Sequence, residues 1–440
     1  MQDARYTSIT VSPFPVKVER LLMETRRKII SILVDGMSAD TVAEHGARFP
    51  NLARLAESGF VVRRLRSTMP GTSVPGRATM LTGASADVHG VYGNHIFEGQ
   101  TFRAPRPSDL RVPTIAKLAT DHGLDVASIG HGMVDPAHTN ICVSPWWLRS
   151  FLLGSRFAKT VPDALLRETR SVKDPEGRLA QAGVIGLERF LNPRSSAAPA
   201  LVSGLVGDQF MIRATAALAR SRKPPDLILT EINMPDAFQH DYGFHSEAAL
   251  WSAEFADLLV GFLLNELALA GRSSEYAIVV ASDHGHGPIE TAIFPDAIIP
   301  GRPWMSEGAT LHVAVRNDAD QRQVADAFEP YGVTLWDNNH LPPDSRDELM
   351  TFIAPPMHDF EEWPDAAPTR GAPTGKPRYS SSHGFRPGSP QDDRIFIASG
   401  PGIRRQKIEQ GGADQYAPTL ARLLGLPTEA FAGLSLETII

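Results

Sequence analysis

The sequence has one cysteine, Cys142, in 440 residues, so it forms no intrachain disulfide and is typical of a protein from a reducing compartment. No apolar run approaches the roughly 20 residues that a membrane-spanning helix needs. Residues 1–27 lack the apolar core and the small-residue cleavage site of a signal peptide. We therefore expect a cytoplasmic protein without a membrane association.

Basic charge is also scarce, because 43 lysines and arginines face 50 acidic residues and the net charge is −7. A surface without an excess of basic residues is poorly suited to a polymeric nucleic acid, so we expect no such partner. The sequence contains no internal repeats and no low-complexity tails. With 42% apolar residues, the chain is long enough to bury a large core.

Three apolar stretches rich in β-branched residues predict buried parallel strands at residues 28–34, 226–231 and 276–282. Acidic or imidazole side chains directly follow two of them, since Asp35 comes after the first and Asp283-His284 after the third. Open α/β sheets bind ligands at the carboxyl ends of their strands. The pattern predicts an α/β fold with a mostly parallel central sheet sandwiched by helices.

Asp236 and His240 follow the second stretch and are four residues apart. On one turn of a helix this spacing directs both side chains to the same side, where they can bind one cation. The same spacing is also common on solvated helix surfaces, so the pair alone does not establish a metal site.

Residues 72–83 predict a loop that leads into a short helix ending at Gly83, with Pro75 at the first helical position. Ser73 then lies where the helix begins, and the free N–H groups there suit an anionic oxygen. The simpler interpretation is that Ser73 only caps the helix.

Changes in composition and in strand and helix patterns along the sequence predict a discontinuous core of residues 25–287 and 377–440, with a possible insertion around 140–205. Residues 288–376 are rich in proline and carry their own strand and helix patterns. We predict that this 288–376 segment is a small α+β cap over the strand ends, where it would select substrates.

Several short motifs occur in a fixed order along the chain. They are Asp35-Gly36, Ser73-x-Pro-x-x-x-Thr79-x-x-Thr82-Gly83, His89-Gly90 with Asn94, Asp236-x-x-x-His240, Ser282-Asp283-His284-Gly285, His383-Gly384 and Ala417-Pro418-Thr419-Leu420. As a set, they resemble the alkaline phosphatase superfamily. The closest resemblance is to its type I phosphodiesterase/nucleotide pyrophosphatase branch, which includes phosphonoacetate hydrolase-like enzymes.

The resemblance implies two divalent cations, most simply zinc, with manganese as the alternative. The implied ligands form two sets of acidic and imidazole side chains: Asp236, His240 and His383 for one cation, and Asp35, Asp283, His284 and the Ser73 oxygen for the other. It also implies that Ser73 attacks phosphorus, that water hydrolyses the phospho-serine, and that Asn94 binds substrate. Mixed aspartate and histidine ligands suit zinc better than calcium or magnesium.

The chain departs from this branch in two ways. Ser73 and Gly76 stand where the branch usually has a threonine nucleophile and an asparagine, and the adjacent Thr72 is the alternative nucleophile. Arg77 makes the motif resemble the sulfatase signature as well. Arg77 would then support a modified Ser73, bind an oxyanion in place of the asparagine, or simply form a surface salt bridge.

The ligand pattern favours a phosphoryl hydrolase over a sulfatase, because sulfatases usually hold one calcium with paired aspartates after the first strand. We therefore expect hydrolysis of a small phosphodiester or pyrophosphate-type substrate. A phosphonate hydrolase, a phosphomonoesterase, a sulfatase-like hydrolase and a catalytically silent binding protein remain as alternatives. The natural substrate and the oligomeric state stay open. The remaining histidines, including His286, are interpreted as structural or solvated, and Trp146, Trp147 and Phe151 as core or pocket residues.

Overall fold

The structure, a computed structural model, describes residues 27–69, 71–154, 157, 161–187, 200–363 and 371–440. The predicted lack of a signal peptide concerns residues 1–27, and all of these except Arg27 lie outside the described residues. So does part of the predicted insertion around 140–205. Within the described ranges, no helix is long and apolar enough to cross a membrane.

The strands are β1 Lys28–Val34, β2 Phe60–Arg66, β3 Ile96–Phe97, β4 Phe102–Arg103, β5 Val126–Ile129, β6 Ile141–Val143, β7 Val172–Lys173, β8 Leu227–Ile232, β9 Tyr276–Ala281, β10 Gly287–Pro288, β11 Thr291–Ile293, β12 Trp304–Ser306, β13 Thr310–Ala314, β14 Thr334–Trp336, β15 Leu349–Ile353, β16 His358–Phe360, β17 Thr374–Gly375, β18 Ser381–Ser382, β19 Arg394–Ser399 and β20 Gln406–Gly412. The α-helices are α1 Ala39–His45, α2 Pro50–Ser58, α3 Ser73–Thr82, α4 Ala86–His89, α5 Ile115–Asp121, α6 Leu148–Gly154, α7 Asp163–Glu168, α8 Arg178–Gln181, α9 Ala200–Ala219, α10 Met234–Tyr242, α11 Glu247–Leu269, α12 Pro295–Ile298, α13 Asp318–Phe328 and α14 Tyr416–Leu424.

A nine-stranded sheet with the order β20-β2-β19-β9-β1-β8-β5-β6-β7 forms the centre of the fold. β1 lies between β8 and β9 and is parallel to both, with Ile29 opposite Leu227 and Leu33 opposite Ala281. β19 runs antiparallel to its neighbours. The predicted mostly parallel α/β fold is therefore confirmed, and the three predicted strands are adjacent in the sheet.

Two apolar clusters cover the two faces of this sheet. One contains residues of α3, α5 and α14, such as Met80, Ile115 and Leu420. The other contains residues of α2, α9 and α11, such as Leu52, Ile212 and Leu263. The central strands are apolar along their whole length because both of their faces are covered.

The 288–376 segment contains a separate four-stranded sheet with the order β12-β13-β15-β14. Its apolar side chains, including Trp304, Phe328 and Phe352, form a cluster of their own. The sequence patterns of this segment predict a helix over 318–328 and strands over 310–315, 333–336 and 348–353. α13 has the predicted bounds, and β13, β14 and β15 agree with the predicted strands to within one residue at each end. The boundaries between core and cap stay a prediction.

The C-terminal end of α3 is held by residues near the end of the chain. Gly83 ends the helix in the left-handed conformation, with a φ of 58°. A Cβ at this position would lie 2.8 Å from Cδ of Pro418. The Gly433 N–H donates to the Gly83 carbonyl at 2.8 Å. The region after β20 therefore fixes the position of the helix that begins with Ser73.

The N-terminal half of α3 rests on the strand end that follows β9. A Cβ at Gly76 would overlap the carbonyl oxygen of Asp283, so only glycine lets the helix approach this closely. The same contact leaves no space for an asparagine side chain at this position.

We expect Gly76→Ala to lower the free energy of unfolding by about 1–3 kcal/mol, because the methyl group has no space. In a helix interior without this contact, alanine would instead stabilise by up to about 1 kcal/mol. Urea denaturation measures the difference. Gly46→Ala is the control, since a Cβ there meets no atom within 4 Å. Equal or higher stability of Gly76→Ala would contradict the close approach.

Candidate active site

The predicted site residues gather at the carboxyl ends of the three central strands. Asp35 follows β1, Asp236 lies four residues beyond the end of β8, and Asp283 lies two residues beyond the end of β9. Gly36 turns the chain with a φ of 67°, and its N–H donates to Oδ1 of Asp283 at 3.3 Å. Parallel pairing of the strands therefore brings carboxylates that are far apart in sequence to one edge of the sheet.

Ser73 is the first residue of α3, and Thr72 is the N-cap residue. The Ser73 hydroxyl does not cap the helix: its Oγ lies 3.1 Å from Nε2 of His284. The interpretation of Ser73 as a helix cap is therefore wrong. The prediction that Pro75 is the first helical residue is also wrong, because α3 begins two residues earlier.

His284 is fully buried and joins Ser73 to the aspartates. Its Nδ1 donates a hydrogen bond to the Gly285 carbonyl at 2.8 Å, which directs Nε2 towards Ser73 and the aspartates. Nε2 lies 3.0 Å from Oδ1 of Asp35 and 3.8 Å from Oδ1 of Asp236. Ligand atoms of Asp35, Asp236 and His284 all lie within 4.8 Å of one another.

A second cluster consists of Asp236, His240 and His383, whose ligand atoms also lie within 4.8 Å of one another. Asp236 and His240 lie on α10, and Oδ1 of the first is 3.5 Å from Nε2 of the second. The Ser381 carbonyl accepts from Nδ1 of His240 at 3.0 Å, so Nε2 faces the aspartate. Asp236 thus belongs to both clusters.

Four buried polar atoms in or beside the two clusters have no hydrogen-bond partner among the described residues. They are Oδ1 of Asp35, Oδ1 of Asp236, Nε2 of His286 and Nδ1 of His383. Buried polar groups are normally paired, and two carboxylate oxygens among imidazole nitrogens are a donor set that suits a transition-metal cation. The residues present therefore fit the implied metal ions.

Arg77 is 0% exposed, so the interpretation as a surface salt bridge is wrong. Its guanidinium lies 2.7 Å from Asp35 Oδ2 and 2.8 Å from Glu231 Oε2, and it also pairs with Asp283. Oδ1 of Asn233 accepts from it at 3.0 Å. All three of its nitrogens therefore already have acceptors. A role for Arg77 in oxyanion binding stays a prediction.

The placement of Asp283 differs in detail from the implied ligand set. Its Oδ2 lies 3.9 Å from Nε2 of His284 and pairs with Arg77. Burial raises the pKa of Asp283 to about 7, although the charge of Arg77 opposes the shift. Burial also raises the pKa of Asp35, but Arg77 and His284 together outweigh it, and the net shift is downward.

Charge balance gives a second test of whether cations fit. Asp35, Asp236, Asp283 and Glu231 are four buried or nearly buried carboxylic groups, whereas Arg77 is the guanidinium that pairs with three of them. Burial lowers the pKa of His284, but the carboxylates, Asp283 first, raise it to about 9. A cation at Nε2 would replace this proton, so metal affinity falls as the pH is lowered.

The two candidate nucleophiles have different surroundings. The Thr72 hydroxyl is 0% exposed and lies 3.0 Å from Oε2 of Glu307 and 3.4 Å from Oδ1 of Asn94. Ser73 is partly exposed beside His284. Asn94 accepts the Val74 N–H at 2.9 Å through Oδ1, which directs its NH2 group away from that amide. The geometry favours Ser73.

Sequence reasoning missed three side chains in or beside the site. His286 is 0% exposed, and its Nε2 lies 3.4 Å from Oδ1 of Asp236. Its position two residues after His284 was the available signal. Glu231, at the end of a predicted strand, also gave a signal that was not used. No sequence signal pointed to Glu307, because it lies in the 288–376 segment, where no site residue was predicted.

A cavity of about 340 Å³ begins beside the residue that follows Ser73. It is lined by Val74, Trp147, Phe151 and other largely apolar side chains. Trp147 also lies under Arg77, whose Cζ is 5.1 Å from the ring centroid. Of the three aromatic residues singled out from the sequence, Trp147 and Phe151 therefore line a pocket, whereas Trp146 packs against the core.

Residues 29–357 match the model of the type I phosphodiesterase/nucleotide pyrophosphatase family. Since this match covers most of the chain, the protein belongs to that family, within the alkaline phosphatase superfamily. It is therefore a hydrolase of the nucleotide pyrophosphatase/phosphodiesterase type.

Solved structures with a similar fold include human and murine ectonucleotide pyrophosphatase/phosphodiesterase 5. Each superposes with a TM-score of 0.66 at 15% sequence identity, over 92% of this chain and 97% of that chain. An inactive variant of the murine protein in complex with AMP superposes with a TM-score of 0.65 at the same identity and coverage. These likenesses show the shared fold.

Proposed function

We propose that this hydrolase cleaves phosphodiester or pyrophosphate-type bonds of small substrates through a phospho-serine intermediate on Ser73, at a site that holds two divalent cations. The main observation in support is the 3.1 Å distance between Ser73 Oγ and His284 Nε2, within a cluster that includes Asp35 and Asp236. A serine hydroxyl is a weak nucleophile near neutral pH and needs activation at such a site.

The proposed cation ligands are Asp236, His240 and His383 on one side and Asp35, Asp283, His284 and Ser73 on the other, with zinc as the simplest metal and manganese as the alternative. When bound, the cations would supply Lewis-acid stabilisation of developing negative charge. The protein places Ser73 at the N-terminus of α3, where backbone N–H groups favour an anionic phosphoryl group. The Asn94 NH2 group is a further donor for a phosphoryl oxygen.

In the first step, Ser73 Oγ forms a bond to phosphorus while the bond to the leaving oxygen breaks. In the second step, water attacks the same phosphorus and releases Ser73. The cavity beside Val74 suits the organic part of the substrate, because its walls are mostly apolar. The AMP complex of the murine neighbour supports a nucleotide-like substrate.

Metal analysis of the purified protein tests this proposal. We expect close to two equivalents of zinc or manganese, with hydrolysis of bis-p-nitrophenyl phosphate exceeding that of p-nitrophenyl phosphate and p-nitrophenyl sulfate. A chelator should abolish the activity, and added zinc or manganese should restore it. A protein that binds no metal and stays inert after either ion is supplied would instead be a silent binding protein. Sulfate turnover would support the sulfatase-like alternative.

A further inference from the structure

Glu307 brings the 288–376 segment into contact with the loops that carry Thr72 and Asn94. It lies directly after β12, is 1% exposed, and accepts the Asn94 N–H with both carboxyl oxygens, at 2.8 and 2.9 Å. Its Oε2 lies 3.0 Å from the Thr72 hydroxyl. One side chain therefore holds the residue before the proposed nucleophile and the backbone of the proposed substrate-binding asparagine.

The contact is close on the Asn94 side because the preceding residue is glycine. A Cβ at Gly93 would lie 2.7 Å from Oε1 of Glu307. Oδ1 of Asn94 in turn accepts the Val74 N–H at 2.9 Å, so both the backbone and the side chain of Asn94 are fixed. These two contacts fix the orientation of the Asn94 NH2 group. Glu307 contributes to that orientation because it holds the Asn94 backbone.

The Glu307 carboxyl group accepts hydrogen bonds from both loops. The Thr72 hydroxyl donates to its Oε2 at 3.0 Å and also lies 3.4 Å from Oδ1 of Asn94. Burial raises the pKa of Glu307 to about 8, although the hydrogen bonds from Asn94 and Thr72 oppose the shift. Every member of the network thereby has a partner, which is what makes a buried polar network rigid.

The same turn also touches a proposed metal ligand through its backbone. The Ala309 N–H donates to the His383 carbonyl at 2.9 Å, and the Thr310 hydroxyl donates to the Gly384 carbonyl at 2.6 Å. The turn after β12 therefore contacts both the His383 loop and the Asn94 loop. The side chain of Glu307 contacts Asn94 and Thr72, whereas the contacts to the His383 loop come from Ala309 and Thr310, so substitution of Glu307 separates the two.

We propose that Glu307 is a positioning residue that orients the Asn94 amide towards the phosphoryl group, so that the 288–376 segment supplies part of the phosphoryl-binding site. This inference rests on the proposed function of Asn94 and Ser73. Glu307 does not touch the reacting atoms and acts through Asn94 and Thr72.

The test compares Glu307→Ala with Glu307→Gln in the metal-loaded protein. Glutamine has nearly the same shape as glutamate and keeps a carbonyl oxygen that accepts the Asn94 N–H, so we expect kcat within about threefold of the wild type. Alanine should lower kcat by about 10- to 100-fold, less than the roughly 10²- to 10³-fold that loss of an entire oxyanion donor costs. Glu348→Gln is the control, since Glu348 is exposed in the same segment.

A double-mutant cycle separates positioning from a general structural role. If Glu307 acts through Asn94, adding Glu307→Ala to Asn94→Ala should change kcat by less than about threefold. Multiplicative losses, or a Glu307→Gln variant as impaired as the alanine variant, would overturn the proposal. Melting temperatures of all variants show whether each is folded.

Binding of inorganic phosphate, measured by calorimetry, distinguishes failure of this inference from failure of the proposed function. Weaker phosphate binding in Glu307→Ala but not in Glu307→Gln supports the inference even if no test substrate is hydrolysed. Normal turnover and normal phosphate binding in Glu307→Ala leave the proposed function intact and overturn the inference. Failure of the wild type to bind phosphate overturns the inference as well.

Discussion

Ser73→Ala is expected to lower kcat/KM for a phosphodiester substrate by about 10³-fold or more, because removal of a nucleophile costs at least this much in enzymes with covalent intermediates. The reason lies in the position of the hydroxyl at the start of α3, 3.1 Å from His284 Nε2. Steady-state kinetics with bis-p-nitrophenyl phosphate measure the loss. Metal content should stay near the wild-type value, since the aspartates and histidines are unchanged.

Thr72→Ala is the matched control for this prediction. Thr72 is buried and its hydroxyl points to Glu307 and Asn94, so its loss should lower kcat/KM by no more than about tenfold. The opposite order of effects would make Thr72 the nucleophile. Acid quenching during turnover should trap a phosphorylated peptide that contains Ser73. A mass loss at Ser73 typical of formylglycine would point to the sulfatase chemistry instead.

Arg77→Met is expected to lower the free energy of unfolding of the metal-free protein by about 3–5 kcal/mol, because it removes the cation from a buried group of carboxylates. Arg77 is 0% exposed and pairs with Asp35, Glu231 and Asp283. Arg77→Lys keeps the positive charge but not the planar guanidinium group, so we expect an intermediate decrease in the free energy of unfolding. Urea denaturation of the metal-free protein measures both.

Arg220→Met is the control, since Arg220 pairs with Glu266 at 2.9 Å but is 49% exposed. Such surface pairs contribute about 1 kcal/mol or less. Added zinc should reduce the difference in the free energy of unfolding between Arg77→Met and the wild type, because a bound cation neutralises the same carboxylates. Wild-type stability of the metal-free Arg77→Met protein would show that the carboxylates do not need this guanidinium.

The strand ends were predictable from sequence because buried parallel strands are continuous apolar runs. Asp35 and Asp283 each follow such a run, and the structure places the runs side by side as β1, β8 and β9. The spacing of Asp236 and His240 was likewise sufficient, since both lie on α10. Local periodicity thus indicated the edge of the sheet where the candidate site lies.

What local patterns could not show is how distant segments pack. No strand is predicted at β20, because its burial pattern is mixed and its pairing with β2 depends on long-range contacts. The direction of Arg77 depends on three carboxylates from three different strand ends. Glu307 reaches Asn94 across more than 200 residues of sequence, so no spacing rule connects them.

The anchoring of α3 has a consequence for minimal fragments of this protein. The family match ends at residue 357, yet Pro418 and Gly433 hold the helix that begins with Ser73, and His383 also lies beyond that point. A truncation at residue 357 would remove β19 from the middle of the central sheet as well. The folded unit that carries the candidate site is therefore longer than the stretch that the family model matches, and we expect residues 1–357 expressed alone to show no hydrolase activity.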